Sequence, residues 1–185
     1  MNHLDFLKES FKNLRTTGAV ARSSKYLVRE MLLPIDFVNA KIIVELGAGD
    51  GVLTVELLNR MSPDALLLCF EINAEFCKIL RGGIDDSRFI LIEDSAETLE
   101  KHLNELGFLE TDYIISAIPF IALPNELVHR IVSVCHKVLK KKGLYIQYHY
   151  TSFIKKMYRQ FFGNVEVEFV PLNIPPAFVM ICEKK

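Results

Sequence analysis

The chain has 185 residues, enough for one compact domain, and its 22 Lys and Arg balance 23 Asp and Glu to give a formal net charge of −1. This balance argues against a nucleic-acid partner, and apolar runs such as ALLLCF fall far short of the roughly 20 residues that a membrane-spanning helix needs. The four scattered cysteines have no metal-ligand spacing, so we expect no metal site and no disulfide, and a reducing, cytoplasmic compartment.

The first stretch of the chain, NHLDFLKESFKNLR, has the pattern of an amphipathic helix, with Lys8, Lys12 and Arg15 among its polar positions. Such a helix can lie in the headgroup plane of a bilayer with its apolar face buried. The same face can instead pack on a sheet or cover a cofactor. Both roles stay open for residues 1–39, which we predict to be an N-terminal helical segment. The apolar face consists of Leu4, Leu7, Phe11 and Leu14.

From residue 40 onward, short apolar strands alternate with helical segments. The predicted strands are KIIVEL, ALLLCFE, RFILIE, DYIISAI and GLYIQYHY. They are almost continuously apolar, as strands covered on both faces are. The last helical segment between them is predicted to run from Pro124 near its start to Gly143 at its end. This alternation predicts an α/β domain with three layers and a mostly parallel sheet over residues 40–185.

The rhythm changes at the C-terminus, where VEVEFVPL and AFVMICEKK are separated only by NIPP. Two strands with so short a connection pair in antiparallel fashion. The sequence therefore predicts seven strands, of which the last is antiparallel, within a single domain over residues 1–185.

A glycine-rich turn, VELGAGDG, follows the first predicted strand. Gly47 and Gly49 would let a ligand lie against the main chain, and Gly51 would let a helix start close to the sheet. Twenty residues after Gly51, Glu71 ends the next strand, where a carboxylate can accept hydrogen bonds from a ribose 2′,3′-diol. Together these features predict a site for an adenosine-containing cofactor.

The spacing G-x-G-x-G, with Glu45 two residues ahead, differs from the G-x-G-x-x-G of dinucleotide enzymes, which leaves a nicotinamide cofactor as the weaker alternative. The segment ELGAGDG resembles motif I of the class I S-adenosylmethionine-dependent methyltransferases. The resemblance implies a Rossmann-like fold and S-adenosyl-L-methionine as cofactor. It also implies that the cofactor is bound by Glu45, Gly47, Ala48, Gly49, Gly51, Glu71, Ile72, Asp94, Ser95, Ala96 and Ser116.

The methyl acceptor is less clear from the sequence. The segment SAIPF stands at the motif IV position, where ribosomal RNA adenine dimethylases carry an Asn, but Ala117 occupies that place here. An alanine has no acceptor for an amine hydrogen. An RNA enzyme of that kind therefore remains an alternative, as do a small-molecule N- or O-methyltransferase and a cofactor-binding protein without catalytic activity.

The flanking segments TGAVARSSKYLVREML, SAIPFIALPNEL and LNIPPAFV resemble those of the soluble bacterial phospholipid N-methyltransferases. The resemblance spans essentially the whole chain, with Arg22 standing where a proline is expected. It implies methylation of phosphatidylethanolamine by a cytoplasmic protein that attaches peripherally to the inner face of the cytoplasmic membrane. A phospholipid membrane surface is therefore the expected partner, and the oligomeric state stays open.

N-methylation needs a neutral amine, so a proton acceptor or a desolvating site is required. His149 is our candidate acceptor, although a histidine bonded to a nearby backbone group is the alternative. Tyr148 and Tyr26 are candidates for an aromatic wall that stabilises the cationic product, against ordinary half-buried tyrosines. The backbone around Ser116 and Pro119 could accept hydrogen bonds from the amine.

Overall fold

A single seven-stranded sheet organises residues 24–185, which are the residues that the computed structural model describes. The strands are β1 (Ile42–Leu46), β2 (Leu66–Phe70), β3 (Phe89–Ile92), β4 (Thr111–Ser116), β5 (Leu139–His149), β6 (Glu166–Val170) and β7 (Ala177–Glu183). The helices are α1 (Lys25–Leu32), α2 (Val52–Arg60), α3 (Ala74–Gly83), α4 (Leu99–Glu105), α5 (Asn125–Val138) and α6 (Lys155–Phe162). The predicted amphipathic helix over residues 4–14 and the unusual Arg22 lie outside the described residues.

The strand order is β3-β2-β1-β4-β5-β7-β6. The first five strands in this order run parallel, and β7 is antiparallel to both β5 and β6. This confirms the predicted mostly parallel sheet with an antiparallel last strand. The connection direction reverses between β1 and β4, and ligands of such sheets bind beyond the carboxyl ends of the strands at that point.

Helices cover both faces of the sheet, which gives the three predicted layers. One apolar cluster joins Val44 and Leu46 of β1 to helices α4, α5 and α6, for example through Leu127 of α5. A second cluster joins Ile43 of β1 to α1 and α2, for example through Leu57 of α2. All five residues of β1 are buried, as the continuous apolar pattern predicted.

The predicted helix that would have run to Gly143 is shorter than expected. Helix α5 ends at Val138, and the next residue, Leu139, already pairs with Thr111 of β4. A Cβ at Gly143 would lie 2.7 Å from the carbonyl oxygen of Asp112. Gly143 therefore marks a close approach of two backbones inside the sheet, and the lysines before it belong to β5 rather than to a helix end.

Helix α1 starts with a side-chain cap, because the Ser24 hydroxyl accepts a hydrogen bond from Leu27 N at 3.2 Å. The Ser24 amide donates to the side chain of Asn173 at 3.2 Å, which ties this helix to the connection between β6 and β7. Across residues 24–185, no helix has the length and apolar character needed to cross a bilayer.

Candidate active site

The glycine turn after β1 has the conformation that its sequence predicted. Gly47, Gly49 and Gly51 all have positive φ, at 79°, 57° and 84°. A Cβ at Gly47 would lie 3.1 Å from Ile118 Cγ1, whereas a Cβ at Gly49 would have no atom of the described residues within 4 Å. The turn is therefore packed against the motif IV segment at Gly47 and is open at Gly49, where a ligand can approach the main chain.

Glu71 follows β2 directly and supports the glycine turn. One of its carboxylate oxygens accepts a hydrogen bond from Gly49 N at 2.9 Å, and the other accepts one from Asn73 N at 2.8 Å. Burial raises the pKa of Glu71, and the bonds from these two amides oppose the increase. Each oxygen keeps a second lone pair, so the carboxylate can still accept a ribose hydroxyl. The support of the Gly49 amide by Glu71 was not predicted from the sequence.

A pocket opens between the ends of β1, β2 and β4, and we call it the first pocket. Its lining residues are Gly47, Phe70, Glu71, Ile72, Asp94, Ser95, Ala96, Ile118, Leu123, Leu127 and Ile131. It brings together six of the predicted cofactor residues, with Ala48, Gly49 and Gly51 in the adjoining turn. The apolar walls suit a flat aromatic base and the Glu71 carboxylate suits a diol, so the residues present fit an adenosine-containing cofactor.

Two further predicted cofactor residues, Glu45 and Ser116, lie beneath the site and outside this lining. Both side chains are fully buried. The Ser116 hydroxyl accepts a hydrogen bond from Ile118 N at 3.4 Å and so helps to shape the motif IV turn. The Glu45 carboxylate lies 3.6 Å from Cys69 Sγ, and neither Glu45 Oε1 nor Thr54 Oγ1 has a hydrogen-bond partner among the described residues.

We predict that Glu45 makes stability depend on pH. Burial raises the pKa of Glu45 from an ordinary 4.5 to about 7. The folded state therefore holds this proton more tightly than the unfolded state, and the stabilisation is lost as the pH rises from about 4.5 through 7. The pKa difference corresponds to roughly 3 kcal/mol. Glu45→Gln should reduce the fall in the free energy of unfolding between pH 5 and pH 8, measured by urea denaturation.

The matched control for this experiment is Glu56→Gln, which removes a carboxylate from an exposed pair with Arg60 on α2. The control should keep the wild-type pH dependence. Parallel stability curves for wild type and Glu45→Gln would contradict a raised pKa at Glu45.

A second pocket adjoins the first and shares Ile118 with it. Its lining residues are Ala117, Ile118, Pro119, Phe120, Ile121, Tyr148, His149, Tyr150, Thr151 and Pro175. Three predicted catalytic residues, Tyr148, His149 and Pro119, therefore meet in one place. Tyr26 does not join them, because it lies on the exposed side of α1 with Lys25 Nζ 5.3 Å from its ring centre.

A buried hydrogen-bond network holds His149. His149 Nε2 lies 2.8 Å from the Tyr158 hydroxyl, which donates to Gln147 Oε1 at 3.0 Å. Tyr145 donates to the same oxygen, and Gln147 Nε2 donates to the Ile118 carbonyl at 2.8 Å. With the Tyr158 hydroxyl donating to Gln147, its oxygen is available to accept from His149 Nε2–H, and in the tautomer that this arrangement favours the lone pair lies on Nδ1.

The alternative that the sequence left open for His149 was a hydrogen bond to a nearby backbone group. In the structure the partner of His149 Nε2 is instead the hydroxyl of Tyr158. Burial lowers the pKa of His149 to about 4. The imidazole is therefore neutral at neutral pH, and the same burial makes it a weaker base than an exposed histidine. Side chains alternate along β5, because Tyr148 and Tyr150 pack with the opposite apolar cluster from the one that contains Tyr145 and Tyr158.

Within residues 24–185, no group of three or more His, Cys, Asp and Glu side chains is placed to hold a metal ion. The polar groups of the two pockets are the amides of the glycine turn, the Glu71 carboxylate and the hydrogen-bond network around His149.

The sequence profile of the methyltransferase small domain family matches residues 6–169. The chain is also similar to an ornithine lipid N-methyltransferase of Singulisphaera acidiphila, with 31% identity over 96% of this chain and 93% of that protein. The chain therefore belongs to the methyltransferase small domain family.

Solved structures of methyltransferases share the fold. A 1,6-didemethyltoxoflavin-N1-methyltransferase of Burkholderia thailandensis, solved with S-adenosylhomocysteine, has a TM-score of 0.72 and 12% identity over 98% of this chain and 88% of that one. A precorrin-6y C5,15-methyltransferase of Geobacter metallireducens has a TM-score of 0.68 and 15% identity, covering 91% of this chain and 95% of that one. With the family match, these findings confirm the predicted enzyme class, an S-adenosylmethionine-dependent methyltransferase.

Proposed function

We propose that this enzyme transfers methyl groups to the amine in the headgroup of a membrane lipid. The observation that carries the proposal is that the second pocket, with its aromatic walls and neutral His149, adjoins the first pocket and shares Ile118 with it. A relative that is named as a lipid N-methyltransferase, similar over nearly the whole chain, supports an amine-bearing lipid as the acceptor. Phosphatidylethanolamine and an ornithine lipid are the two candidate acceptors.

In this proposal, S-adenosylmethionine is held in the first pocket. Glu71 would accept the ribose hydroxyls, and Ile72 with the segment from Asp94 to Ala96 would surround the adenine. The open main chain at Gly49 would receive the amino-acid end of the cofactor. When bound there, the cofactor supplies an electrophilic methyl group on its sulfonium.

The chain's own residues prepare the amine for attack. The apolar walls of the second pocket disfavour an ammonium ion, as burial does for the imidazolium of His149. The Nδ1 atom of His149 takes the proton that the amine must lose only because the same apolar walls lower the pKa of the ammonium as well, and hydrogen bonding of Nε2–H to Tyr158 favours the tautomer in which Nδ1 is free to do so. Removal of this proton exposes the nitrogen lone pair that attacks the methyl carbon.

The backbone around motif IV is a weaker candidate for holding the amine by hydrogen bonds, because its carbonyls already have partners. The carbonyls of Pro119 and Phe120 accept hydrogen bonds from the turn that follows them, and the carbonyl of Ile118 accepts one from Gln147.

After transfer, the methylated nitrogen is a bulkier cation. Tyr148 and Tyr150, whose ring centres lie 5.7 Å apart, present π-systems that can stabilise it.

The proposal is tested by following labelled methyl groups from S-adenosylmethionine into three acceptors offered in parallel. These are vesicles that contain phosphatidylethanolamine, vesicles that contain an ornithine lipid, and ribosomal RNA. Vesicles of pure phosphatidylcholine, whose nitrogen is already fully methylated, are the matched control. We expect label in one or both amine lipids and none in the control.

Label in RNA alone would contradict the proposal and favour the adenine-methyltransferase alternative. The structure places Ala117 in the lining of the second pocket, where that alternative requires an amide side chain. Turnover of a soluble amine without any lipid product would favour the small-molecule alternative.

A further inference from the structure

We infer that three loops around the second pocket form a docking surface for a bilayer that contains anionic phospholipid. The loops are residues 119–124, 150–156 and 171–176, and we call them the pocket rim. The inference rests on the proposed function, because it gives the route by which a lipid headgroup would reach His149. It places membrane contact in the catalytic domain, separate from the predicted N-terminal helix.

The pocket rim gathers strongly exposed, large apolar side chains around one opening. Ile121 is 83% exposed, Phe153 is 90% exposed and Ile174 is 84% exposed. One exposed apolar residue on a surface needs no explanation, but three on separate loops around one opening indicate an interaction site. Ile121 and Pro175 also line the second pocket, so the exposed residues continue directly into its wall.

The three loops meet because of the sheet topology. Residues 119–124 follow β4 and residues 150–156 follow β5, at the carboxyl edge of the parallel strands. Strand β7 is antiparallel, with His149 paired to Phe178, so the loop before β7 reaches the same edge. All three loops therefore project from one side of the molecule, around the entrance to the pocket.

The loop between β6 and β7 is held in a defined shape. The buried side chain of Asn173 accepts a hydrogen bond from Ser24 N at 3.2 Å and donates one to the Pro175 carbonyl at 2.7 Å. With Asn173 directed inward, its neighbour Ile174 is directed outward. A side chain presented in this way does not have to lose much conformational freedom when it enters a lipid surface.

The charge of the pocket rim favours an anionic bilayer as the occupant. The three loops contain no Asp and no Glu, and their cations are Lys155 and Lys156, two and three residues after Phe153. Apolar side chains that enter the headgroup region, next to lysines that stay at its surface, are the combination by which peripheral proteins bind anionic membranes. A binding site for a soluble amine would need neither feature.

The absence of tryptophan from the chain allows a direct test. Phe153→Trp and Ile174→Trp each introduce a single fluorescent reporter into the pocket rim. The matched controls are Leu109→Trp and Val38→Trp, at positions that are 81% and 77% exposed and precede β4 and β1 at the opposite edge of the sheet. The membrane is a vesicle of phosphatidylcholine and phosphatidylglycerol, with or without bromine on the acyl chains.

We expect the two rim reporters to shift to shorter wavelength when vesicles are added and to be quenched by brominated lipid, while both controls stay unchanged. Rim reporters that respond no more than the controls would overturn the inference. Emission at short wavelength before vesicles are added would also overturn it, because the chain itself would then cover the position.

A second pair of variants measures the contribution to binding. The double variant Phe153→Asp and Ile174→Asp should weaken co-sedimentation with these vesicles by on the order of 10-fold or more, since both apolar contacts are replaced by charges that anionic lipid repels. The control pair, Leu109→Asp and Val38→Asp, should bind as the wild type does. Equal binding by both double variants would contradict a role of the pocket rim.

These vesicles contain no lipid with a free amine, so docking is read without turnover. A protein whose rim reporters enter the bilayer but which methylates no lipid would contradict the proposed function and leave the docking surface standing. Lipid methylation without any response of the reporters would overturn the docking surface and leave the proposed function standing.

Discussion

Replacing Gly49 with valine will lower the affinity for S-adenosylmethionine by at least about 100-fold, which corresponds to roughly 2.7 kcal/mol. A Cβ at Gly49 meets no atom of the described residues within 4 Å, so the space beside it is where the cofactor would lie. The valine side chain fills that space. Isothermal titration calorimetry with S-adenosylmethionine and with S-adenosylhomocysteine measures the loss.

A matched control separates this effect from backbone strain. Gly107, in the loop before β4, also has a positive φ, of 82°, and its Cβ would also meet nothing within 4 Å. Gly107→Val therefore carries a similar conformational cost, because a β-branched residue is strained at either position. It should lower the melting temperature as much as Gly49→Val does and leave cofactor affinity unchanged. Equal affinities for the two variants would mean that the cofactor does not lie against Gly49.

Replacing His149 with phenylalanine will lower kcat by about 100- to 1000-fold, within the range that positioned proton acceptors contribute. The ring volume is kept, but the Nδ1 lone pair and the bond to Tyr158 are lost. The affinity for S-adenosylmethionine should stay within about twofold, since His149 lines the second pocket only. His129→Phe, at an exposed position of α5, is the control and should keep full activity.

The pH dependence of the wild type adds a second readout. Because the pKa of His149 is lowered to about 4, its protonation should not reduce kcat/KM between pH 8 and pH 6. Activity that depends on a neutral His149 is lost only as the pH falls through about 4. Unchanged kcat in His149→Phe would remove His149 from the mechanism and leave desolvation of the amine as the means of deprotonation.

The sequence predicted the fold well because the strands of this sheet are buried on both faces. Every residue of β1 is buried, and such strands appear as apolar runs that alternate with amphipathic helices. The end of α5 was harder, because a run of lysines before Gly143 suits a helix end as well as a solvent-facing stretch of strand. The deciding contact, the approach of Gly143 to Asp112 of β4, is between residues far apart in sequence.

The site was predictable where a local pattern encodes it. Three glycines with positive φ and an acid at the end of the next strand follow from spacing alone. The network of Tyr145, Gln147 and Tyr158 was missed because it joins β5 to α6. The polar Gln147 inside a buried strand was the available signal, since a buried amide must find partners.

Tyr26 is a candidate site residue that the structure places away from the second pocket. It was a candidate for the aromatic wall, against an ordinary half-buried tyrosine. The helical repeat of α1 instead directs Leu27, Val28 and Met31 to the sheet and leaves Tyr26 on the exposed side. The periodicity of the apolar residues in this helix determines which side chains face the protein.

The measurement that tests the central claim most directly is tandem mass spectrometry of the lipid product formed from S-adenosylmethionine and amine-lipid vesicles. The account predicts that each added methyl group is found in the fragment that contains the headgroup nitrogen, and that the product is absent with Gly49→Val. A methyl group on a phosphate or carboxylate oxygen, or no methylated lipid at all under conditions where the cofactor binds, would contradict it.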